Sequence, residues 1–153
     1  MKRFIFIAFG VVLFFIVLGF LRTWFLESKS QQRLFVSGKV PKVMPNGFYK
    51  GSVSVKTPWL GKTFERKSAS GKNVFFWNGK RQERFSFNTY SGQGLKDKNL
   101  KVIKIDYSHS DTWWVRYVLD EIVEVAPGKL LGKAHIRIIP GLPFTIAYFE
   151  LKK

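Results

Sequence analysis

The residues that could carry out acid–base chemistry are concentrated in the C-terminal third of the chain. Carboxylates stand at Asp120, Glu121 and Glu124, and one of only two histidines stands at His135. Pro127-Gly128 predicts a tight turn between two β-strands, and residues at equal distances from that turn face each other, which brings Asp120 opposite His135. A carboxylate and an imidazole in contact can act as general acid and base. The alternative is a polar pair on the outer face of a sheet, so Asp120 and His135 are candidates and no catalytic residue is assigned.

Other kinds of catalytic or metal site leave no pattern in the sequence. Cysteine is absent, which excludes disulfides, thiolate metal ligands and cysteine nucleophiles. The second histidine, His109, lies between serines in a polar segment without other ligands at metal-binding spacing. Gly92-Gln93-Gly94 lacks the lysine and hydroxyl residue of a phosphate-binding loop, and no Gly-x-Ser-x-Gly motif occurs. We therefore predict no metal and no cofactor, and we favour a non-catalytic function over an enzymatic one.

Basic residues and aromatic rings are interleaved in one predicted hairpin, a combination that binds single-stranded nucleic acids in other proteins. The competing interpretation places two of its three rings in the core and its cations on a solvated face. We favour core packing, and nucleic acid is not an expected partner because an adjacent membrane would offer headgroups at high local concentration. The set comprises Lys72, Phe75, Phe76, Trp77, Lys80, Arg81 and Arg84.

The elements that would position these residues are β-strands. From Gly47 onward apolar and polar side chains alternate, and Ile103, Ile105 and Tyr107 are predicted to share an inward face. Asn78-Gly79 predicts a hairpin turn, since both residues tolerate positive φ. About eight such runs, with a turn roughly every eight to twelve residues, predict a mainly β fold, namely a small antiparallel β-barrel.

Two expectations concern the second half of this barrel. Residues 113–119 fit either a short helix capped by Asp111 or a strand, and both alternatives stay open. The final strands are expected to close the barrel, and their charges are expected to lie on its exposed face. Their apolar wall residues are Ile136, Ile138, Ile146 and Tyr148.

A long apolar segment precedes the barrel. Phe4 to Leu21 are 18 residues without a charge, and about 20 helical residues span the ~30 Å hydrocarbon core of a bilayer. Trp24 and Phe25 resemble an interfacial belt, and no small-residue cleavage site follows. We predict a transmembrane anchor at residues 1–26, a tether at 27–46 with a short strand or helix at 31–37, and a barrel at 47–153. A cleaved signal peptide and a buried core helix are the alternatives.

The net charge of the chain indicates the kind of partner. A formal charge of +16 favours anionic surfaces such as phospholipid headgroups. Lys2 and Arg3 favour a cytoplasmic N-terminus, whereas the flank after the apolar segment is basic as well and favours a cytoplasmic C-terminal side, so the side of the soluble domain stays undetermined. The basic residues of that flank are Arg22, Lys29, Arg33 and Lys39. The expected location is therefore a membrane, crossed once, and the expected partners are that membrane, anionic headgroups or a hydrophobic small molecule.

Several short motifs resemble, in their order, those of bacterial GxWxG-type domains of unknown function. The motifs are Gly47-Phe48-Tyr49-Lys50-Gly51, Trp59-Leu60-Gly61-Lys62-Thr63-Phe64, Asp120-Glu121-Ile122, Leu131-Gly132-Lys133 and Tyr148-Phe149-Glu150-Leu151. Tyr49 stands where the family has tryptophan. The resemblance covers about residues 47–153 and implies a lipocalin-like (calycin) barrel without an established activity.

The aromatic content of 17% supplies contact area for an apolar molecule, and a barrel of about eight strands has room for side chains or one small ligand. Our first hypothesis is a membrane-anchored barrel that binds a small hydrophobic or amphipathic, lipid-like ligand. The alternatives are a scaffold with a filled barrel and a basic face, and an enzyme acting through Asp120 and His135. The predicted ligand-binding residues are Trp77, Phe85, Phe87, Ile103, Tyr107 and Trp114.

Overall fold

The computed structural model describes the backbone of residues 2–153, with the side chains of Ile7 and of residues 9–153. The predicted basic flank at Lys2 and Arg3 therefore lies outside the described side chains. Two helices precede eight strands, and a 3₁₀ helix, Trp113–Tyr117, lies between the fifth and sixth strands. The elements are α1 (Lys2–Glu27), α2 (Ser30–Ser37), β1 (Gly47–Val53), β2 (Trp59–Glu65), β3 (Ser70–Trp77), β4 (Lys80–Gln93), β5 (Lys101–Asp106), β6 (Val118–Ala126), β7 (Lys129–Ile139) and β8 (Leu142–Lys152).

The eight strands form a closed antiparallel barrel in chain order, which confirms the predicted fold class. Each strand pairs with its neighbour in the chain, and β1 pairs with β8 from Lys50↔Lys152 to Val53↔Phe149. Closure leaves no exposed sheet edge. Because successive strands run in opposite directions, their connections alternate between two ends of the barrel. The end with residues 54–58, 78–79, 107–117 and 140–141 is called the mouth end, and the end with residues 66–69, 94–100 and 127–128 the far end.

The local chemistry of the turns explains how the strands are joined. Asn78 and Gly79 have φ of 50° and 73°, the conformation that a two-residue hairpin requires. Residues 113–117 form the 3₁₀ helix, and β6 begins at Val118. Of the two alternatives for residues 113–119, the short helix therefore holds for 113–117 and the strand for 118–119.

A column of aromatic rings fills the half of the barrel nearer the far end. Tyr49, Phe64, Phe87 and Tyr107 follow one another in edge-to-face contact, with 5.5 Å between the centroids of each successive pair. Tyr49 thus has a packing role in the core. These buried rings occupy this half of the interior.

Helix α1 has the length and composition of a membrane-spanning helix. Its segment Phe9–Glu27 has a mean hydropathy of 2.2 and only 6% of it is buried. The core helix of a soluble protein would be mostly buried, so the exposure of this segment argues against that alternative. A signal sequence would show the same composition.

The segment expected to be a tether is partly folded onto the barrel. Helix α2 covers the whole of the predicted short element at 31–37, and its Phe35 is fully buried against Val123, Leu131 and Tyr148 on the outer barrel wall. Beyond α2, Lys39 pairs with Glu124 of β6 through two backbone hydrogen bonds.

The tip of the β7–β8 hairpin departs from the predicted wall. The pairing register shifts between Ile136 and Ile139, and the side chain of Ile138 is 61% exposed. Ile138 is one of the four apolar residues predicted to build the barrel wall, and at this irregular hairpin tip its side chain is largely exposed instead of packed in the wall.

Candidate functional site

The interior of the barrel is open at the mouth end. A space of about 220 Å³, which we call the cup, lies above the column of rings. Its wall is formed mainly by apolar and aromatic side chains from seven of the eight strands and from the 3₁₀ helix. The lining residues are Val53, Trp59, Lys62, Asn73, Phe75, Phe85, Tyr107, Trp114, Val115, Val118, Asp120, Ala134 and Phe149.

A polar cluster forms the floor of the cup. The Lys62 ammonium donates hydrogen bonds to Asn73 Oδ1 at 2.8 Å, to Asp120 Oδ2 at 2.9 Å and to the hydroxyl of Tyr107. Tyr107 in turn donates to Asp120 Oδ2 at 3.0 Å. The side chains of Lys62 and Asp120 are only 3% and 7% exposed, so this is a buried ion pair.

Burial shifts the acidities of the floor groups. Removal from water lowers the pKa of Lys62 below its ordinary value, and the neighbouring Asp120 carboxylate opposes that shift. The pKa of Tyr107 is raised well above its ordinary value, first by burial and then by the negative charge of Asp120. Tyr107 therefore keeps its proton and remains a hydrogen-bond donor.

One acceptor of the floor is left for a ligand. All three protons of Lys62 are used, whereas Asp120 Oδ1 receives no hydrogen bond from the described residues. Among the described residues, the buried side-chain oxygens that have no hydrogen-bond partner are Thr63 Oγ1 and Ser110 Oγ, and Asp120 Oδ1 is not one of them. Asp120 Oδ1 is thus accessible, and the cup is the space that Asp120 lines.

Two irregularities of the sheet direct rings into the cup. A register shift between Trp59 and Gly61 accompanies the turn of the Trp59 ring over Gly51, where an added Cβ would lie 2.4 Å from the ring. Phe85 is the unpaired residue of a second bulge, between the pairs Lys72↔Ser86 and Asn73↔Arg84. Its φ of 55° is unusual for a bulky side chain and is strained. Bulges next to binding sites commonly redirect a side chain in this way.

The predicted pairing of Asp120 with His135 is wrong. Asp120 lies opposite Ala134, and His135 lies opposite Leu119. The register shifts by one residue between Glu124 and Ala126, and a one-residue shift exchanges the two faces of a strand. Asp120 consequently points into the cup, whereas the imidazole of His135 contacts Glu121 at 3.2 Å on the outer face.

Several charged or titratable side chains of the final strands are buried, contrary to the expectation of an exposed face, whereas Lys129 and Glu150 are partly exposed. Lys133, His135 and Glu121 are all fully buried beneath α1, α2 and residues 94–100. Lys133 Nζ donates to Glu27, Gln32 and Asp97, each at 2.9 Å. We call this arrangement of Lys133 with its three partners the clamp. It fixes the end of α1, the start of α2 and the loop after β4 to the barrel wall.

The predicted ligand-binding residues fall into three groups. Phe85, Tyr107 and Trp114 line the cup. Phe87 and Ile103 are buried in the filled core. Trp77 lies beside the β3–β4 turn, is 49% exposed and does not line the cup.

The hairpin of interleaved rings and cations also differs from the expectation of two inward rings. Phe75 lines the cup, but Phe76 and Trp77 are both exposed. The hairpin therefore presents two rings to its surroundings.

The sequence contained a pattern that could have identified the floor. Lys62 stands two residues before the inward Phe64, and Asp120 stands two residues before the inward Ile122. A charge in phase with inward residues predicts a buried group that needs a partner of opposite charge. Trp59 carried no comparable pattern, because its inward position depends on the bulge.

Within the described residues no group of three or more histidine and carboxylate side chains could hold a metal ion. Comparisons with protein families, with curated proteins and with solved structures found no match. The resemblance to GxWxG-type domains therefore stays a prediction, whereas the closed β-barrel is present in the structure.

Proposed function

We propose that this protein is a membrane-anchored β-barrel that binds one small amphipathic molecule in the cup. The apolar part of the molecule contacts the rings of the wall, and its polar group reaches the floor. The observation that carries the proposal is a buried ion pair, Lys62 with Asp120, lying directly beneath an open apolar space. Ligand sites combine these features, since most of their lining is apolar and a few polar groups orient the ligand.

The cost of these features to the fold supports a role in binding. A buried ion pair is often less stabilising than apolar side chains of the same volume. The strained backbone of Phe85 costs roughly 1–3 kcal/mol more. Groups that reduce stability are concentrated at functional sites. A barrel with only a structural role would gain stability from an apolar floor.

The chemistry of the floor selects the polar group of the ligand. Lys62 and Asp120 neutralise each other, and the accessible atom, Asp120 Oδ1, is an acceptor. The ligand must therefore donate a hydrogen bond, as an alcohol or an ammonium group does. A carboxylate would meet the negative charge of Asp120 without a proton to share.

The size of the cup limits what it can enclose. Its 220 Å³ is smaller than the roughly 300–1,000 Å³ of drug-sized ligand sites. The cup therefore accommodates a short molecule or one end of a longer one, whose remainder extends beyond the mouth.

The proposed location is a membrane crossed once by α1. The exposed apolar surface of Phe9–Glu27 supports it, since such a surface is stable in hydrocarbon and unfavourable in water.

The proposal is tested with three ligands that share a chain and differ in the polar group. The full-length protein in non-ionic detergent is mixed with 1-decanol, decylamine or decanoate and analysed by native mass spectrometry. We expect adducts with the alcohol and the amine and much weaker adducts with the carboxylate. Ala134→Leu adds three carbons to the cup wall and should abolish the adducts, while Asp111→Asn, in an exposed loop, should leave them unchanged.

Two outcomes contradict different parts of the proposal. Equal adducts in the wild type and in Ala134→Leu would show that the molecules bind elsewhere. Decanoate binding more tightly than decanol would contradict the donor chemistry at Asp120 and leave the cup as the site.

A second function is favoured by the filled half of the barrel and by the formal charge of +16. In it the protein is an accessory scaffold whose basic surface contacts anionic lipid or a partner protein. A wild-type protein that forms no adduct with any of the three ligands would favour this function over the first.

A further inference from the structure

The direction of α1 relative to the barrel shows which end faces the membrane. Thr23 of α1 hydrogen-bonds the backbone of Thr145, and further along the chain Gln32 of α2 hydrogen-bonds the hydroxyl of Tyr148. Before Thr23, the ring of Phe20 contacts Phe144 with centroids 5.4 Å apart. Later residues of the two helices therefore contact later residues of β8, so α1 runs in the same direction as β8. Since β8 begins at the mouth end, the N-terminal part of α1 extends past the mouth end.

The hairpin between β7 and β8 lies alongside the part of α1 that extends past the mouth end. Ile138 and Ile139 border a groove whose opposite side is formed by Val12, Phe15 and Ile16 of α1. Phe15 lies 12 residues before Glu27, which is roughly 18 Å along a helix that rises about 1.5 Å per residue. These α1 residues lie inside the candidate span Phe9–Glu27. When α1 crosses a bilayer, the exposed side chain of Ile138 is therefore at the depth of the hydrocarbon.

The two ends of the barrel differ in aromatic residues. Exposed rings surround the mouth end, and the most exposed, Trp113, has 70% of its surface accessible. The far-end connections, residues 66–69, 94–100 and 127–128, contain no aromatic residue. Tryptophan and tyrosine are enriched where proteins meet the membrane interface. The exposed rings of the mouth-end connections are Trp113, Trp114 and Tyr117, and the exposed rings of Phe76 and Trp77 lie at the end of β3 beside the turn at 78–79.

The charge of the mouth end suits an anionic bilayer. The mouth-end connections together with the strand ends beside the turns at 78–79 and 140–141, residues 54–58, 76–82, 108–117 and 137–143, contain five basic residues and one acidic residue, Asp111. The far end is basic as well, so charge alone would not choose between the ends. The rings and the direction of α1 make that choice.

We propose that the mouth end lies against the anionic membrane that α1 crosses, with the tip of the β7–β8 hairpin inserted, so that the cup opens into the bilayer. The docking rests on α1, the hairpin and the rings. The consequence that a ligand reaches the cup from the lipid phase rests in addition on the proposed function.

The absence of cysteine allows a single label to be placed at each end of the full-length chain. Variants Ile138→Cys and Trp113→Cys represent the mouth end. Val43→Cys, at an exposed apolar position near the far end, is the matched control. Each variant carries an environment-sensitive fluorophore and is reconstituted in nanodiscs of phosphatidylcholine and phosphatidylglycerol. Quenching by nitroxide-labelled lipid is compared with quenching by aqueous iodide.

We expect lipid quenching at residues 138 and 113 to exceed that at residue 43 at least fivefold, with the reverse order for iodide. Iodide quenching at residue 138 equal to that at residue 43 would overturn the docking, as would stronger lipid quenching at the far end.

The experiment separates this inference from the proposed function. Ala134→Leu, which fills the cup, should leave the quenching pattern unchanged. Retained decanol binding with a water-exposed mouth end would refute the docking alone. The converse result, lipid quenching at residues 138 and 113 without any ligand adduct, would refute the binding function alone.

Discussion

Replacing Asp120 with asparagine should destabilise the barrel far more than removing the charge of an exposed carboxylate. The substitution preserves the shape of the side chain but leaves the Lys62 ammonium without a counter-charge. The two side chains are 3% and 7% exposed and their charged atoms are 2.9 Å apart. Breaking a buried pair by removing one partner costs about 3–5 kcal/mol, because a charge stays buried without compensation. We expect a loss of that size in the free energy of unfolding.

A double-mutant cycle tests the physical reason. Lys62→Met should cost a similar amount, since it leaves the Asp120 carboxylate buried without its cation. The double variant contains neither charge, so it should cost less than the sum of the single variants by about 2 kcal/mol or more. The cost of Asp120→Asn should also shrink between pH 7 and pH 10, because Lys62, whose pKa is lowered by burial, can then lose its proton.

The assay is urea unfolding of the full-length chain in non-ionic detergent, followed by tryptophan fluorescence. Lys129 and Glu150 provide the control, since their atoms are 3.0 Å apart but their side chains are 32% and 35% exposed. Glu150→Gln should cost less than about 1 kcal/mol. The reasoning is refuted if Asp120→Asn costs no more than Glu150→Gln, or if the single effects of the cycle simply add.

Three further predictions concern pH, cup shape and the clamp. The folded-state pKa of Lys62 is lowered, so between that pKa and the ordinary value of 10.5 the unfolded chain binds more protons than the folded chain. The stability of the wild type relative to Lys62→Met should therefore rise from pH 8 to pH 10. A constant or falling difference in urea unfolding would contradict the burial of Lys62. Gly51→Ala should displace the Trp59 ring and reduce decanol adducts at least tenfold in native mass spectrometry, whereas Gly10→Ala, whose added Cβ meets nothing within 4 Å, should not. Lys133→Met should increase hydrogen exchange of residues 27–37 at least tenfold by breaking the clamp, and unchanged protection would show that apolar contacts alone fix α2.

The fold was predictable because its determinants are local. Asn78 and Gly79 specify a hairpin through their backbone preferences, and the alternation of Ile103, Ile105 and Tyr107 marks an inward face. Such patterns extend over a few residues and need no knowledge of the distant chain. Strand number and order followed from them, since hairpin connections place neighbouring runs side by side.

The site was less predictable because bulges and distant contacts determine it. A one-residue shift near Glu124 separated Asp120 from His135, and no residue type in that strand announces the shift. Phe85 reaches the cup through an unfavourable φ that its residue type argues against. The environment of Lys133 depends on Gln32, which is 101 positions away in the sequence. The alternation of strand β5 predicted the inward position of Tyr107, and the phase of Lys62 and Asp120 within their strands could have located the rest of the floor.

The clamp has a mechanical consequence for the cup. Neighbouring residues of a strand project to opposite sides of the sheet. Lys133, in the clamp, is followed by Ala134 in the cup wall, and Tyr148, which contacts Gln32, is followed by Phe149 in the cup wall. Lys133 connects the end of α1 to β7 through Glu27, so we expect a displacement of α1 to shift the neighbouring Ala134 in the cup wall. If α1 crosses a bilayer as we propose, a change of its tilt with the thickness of the hydrocarbon is then expected to change the width of the cup.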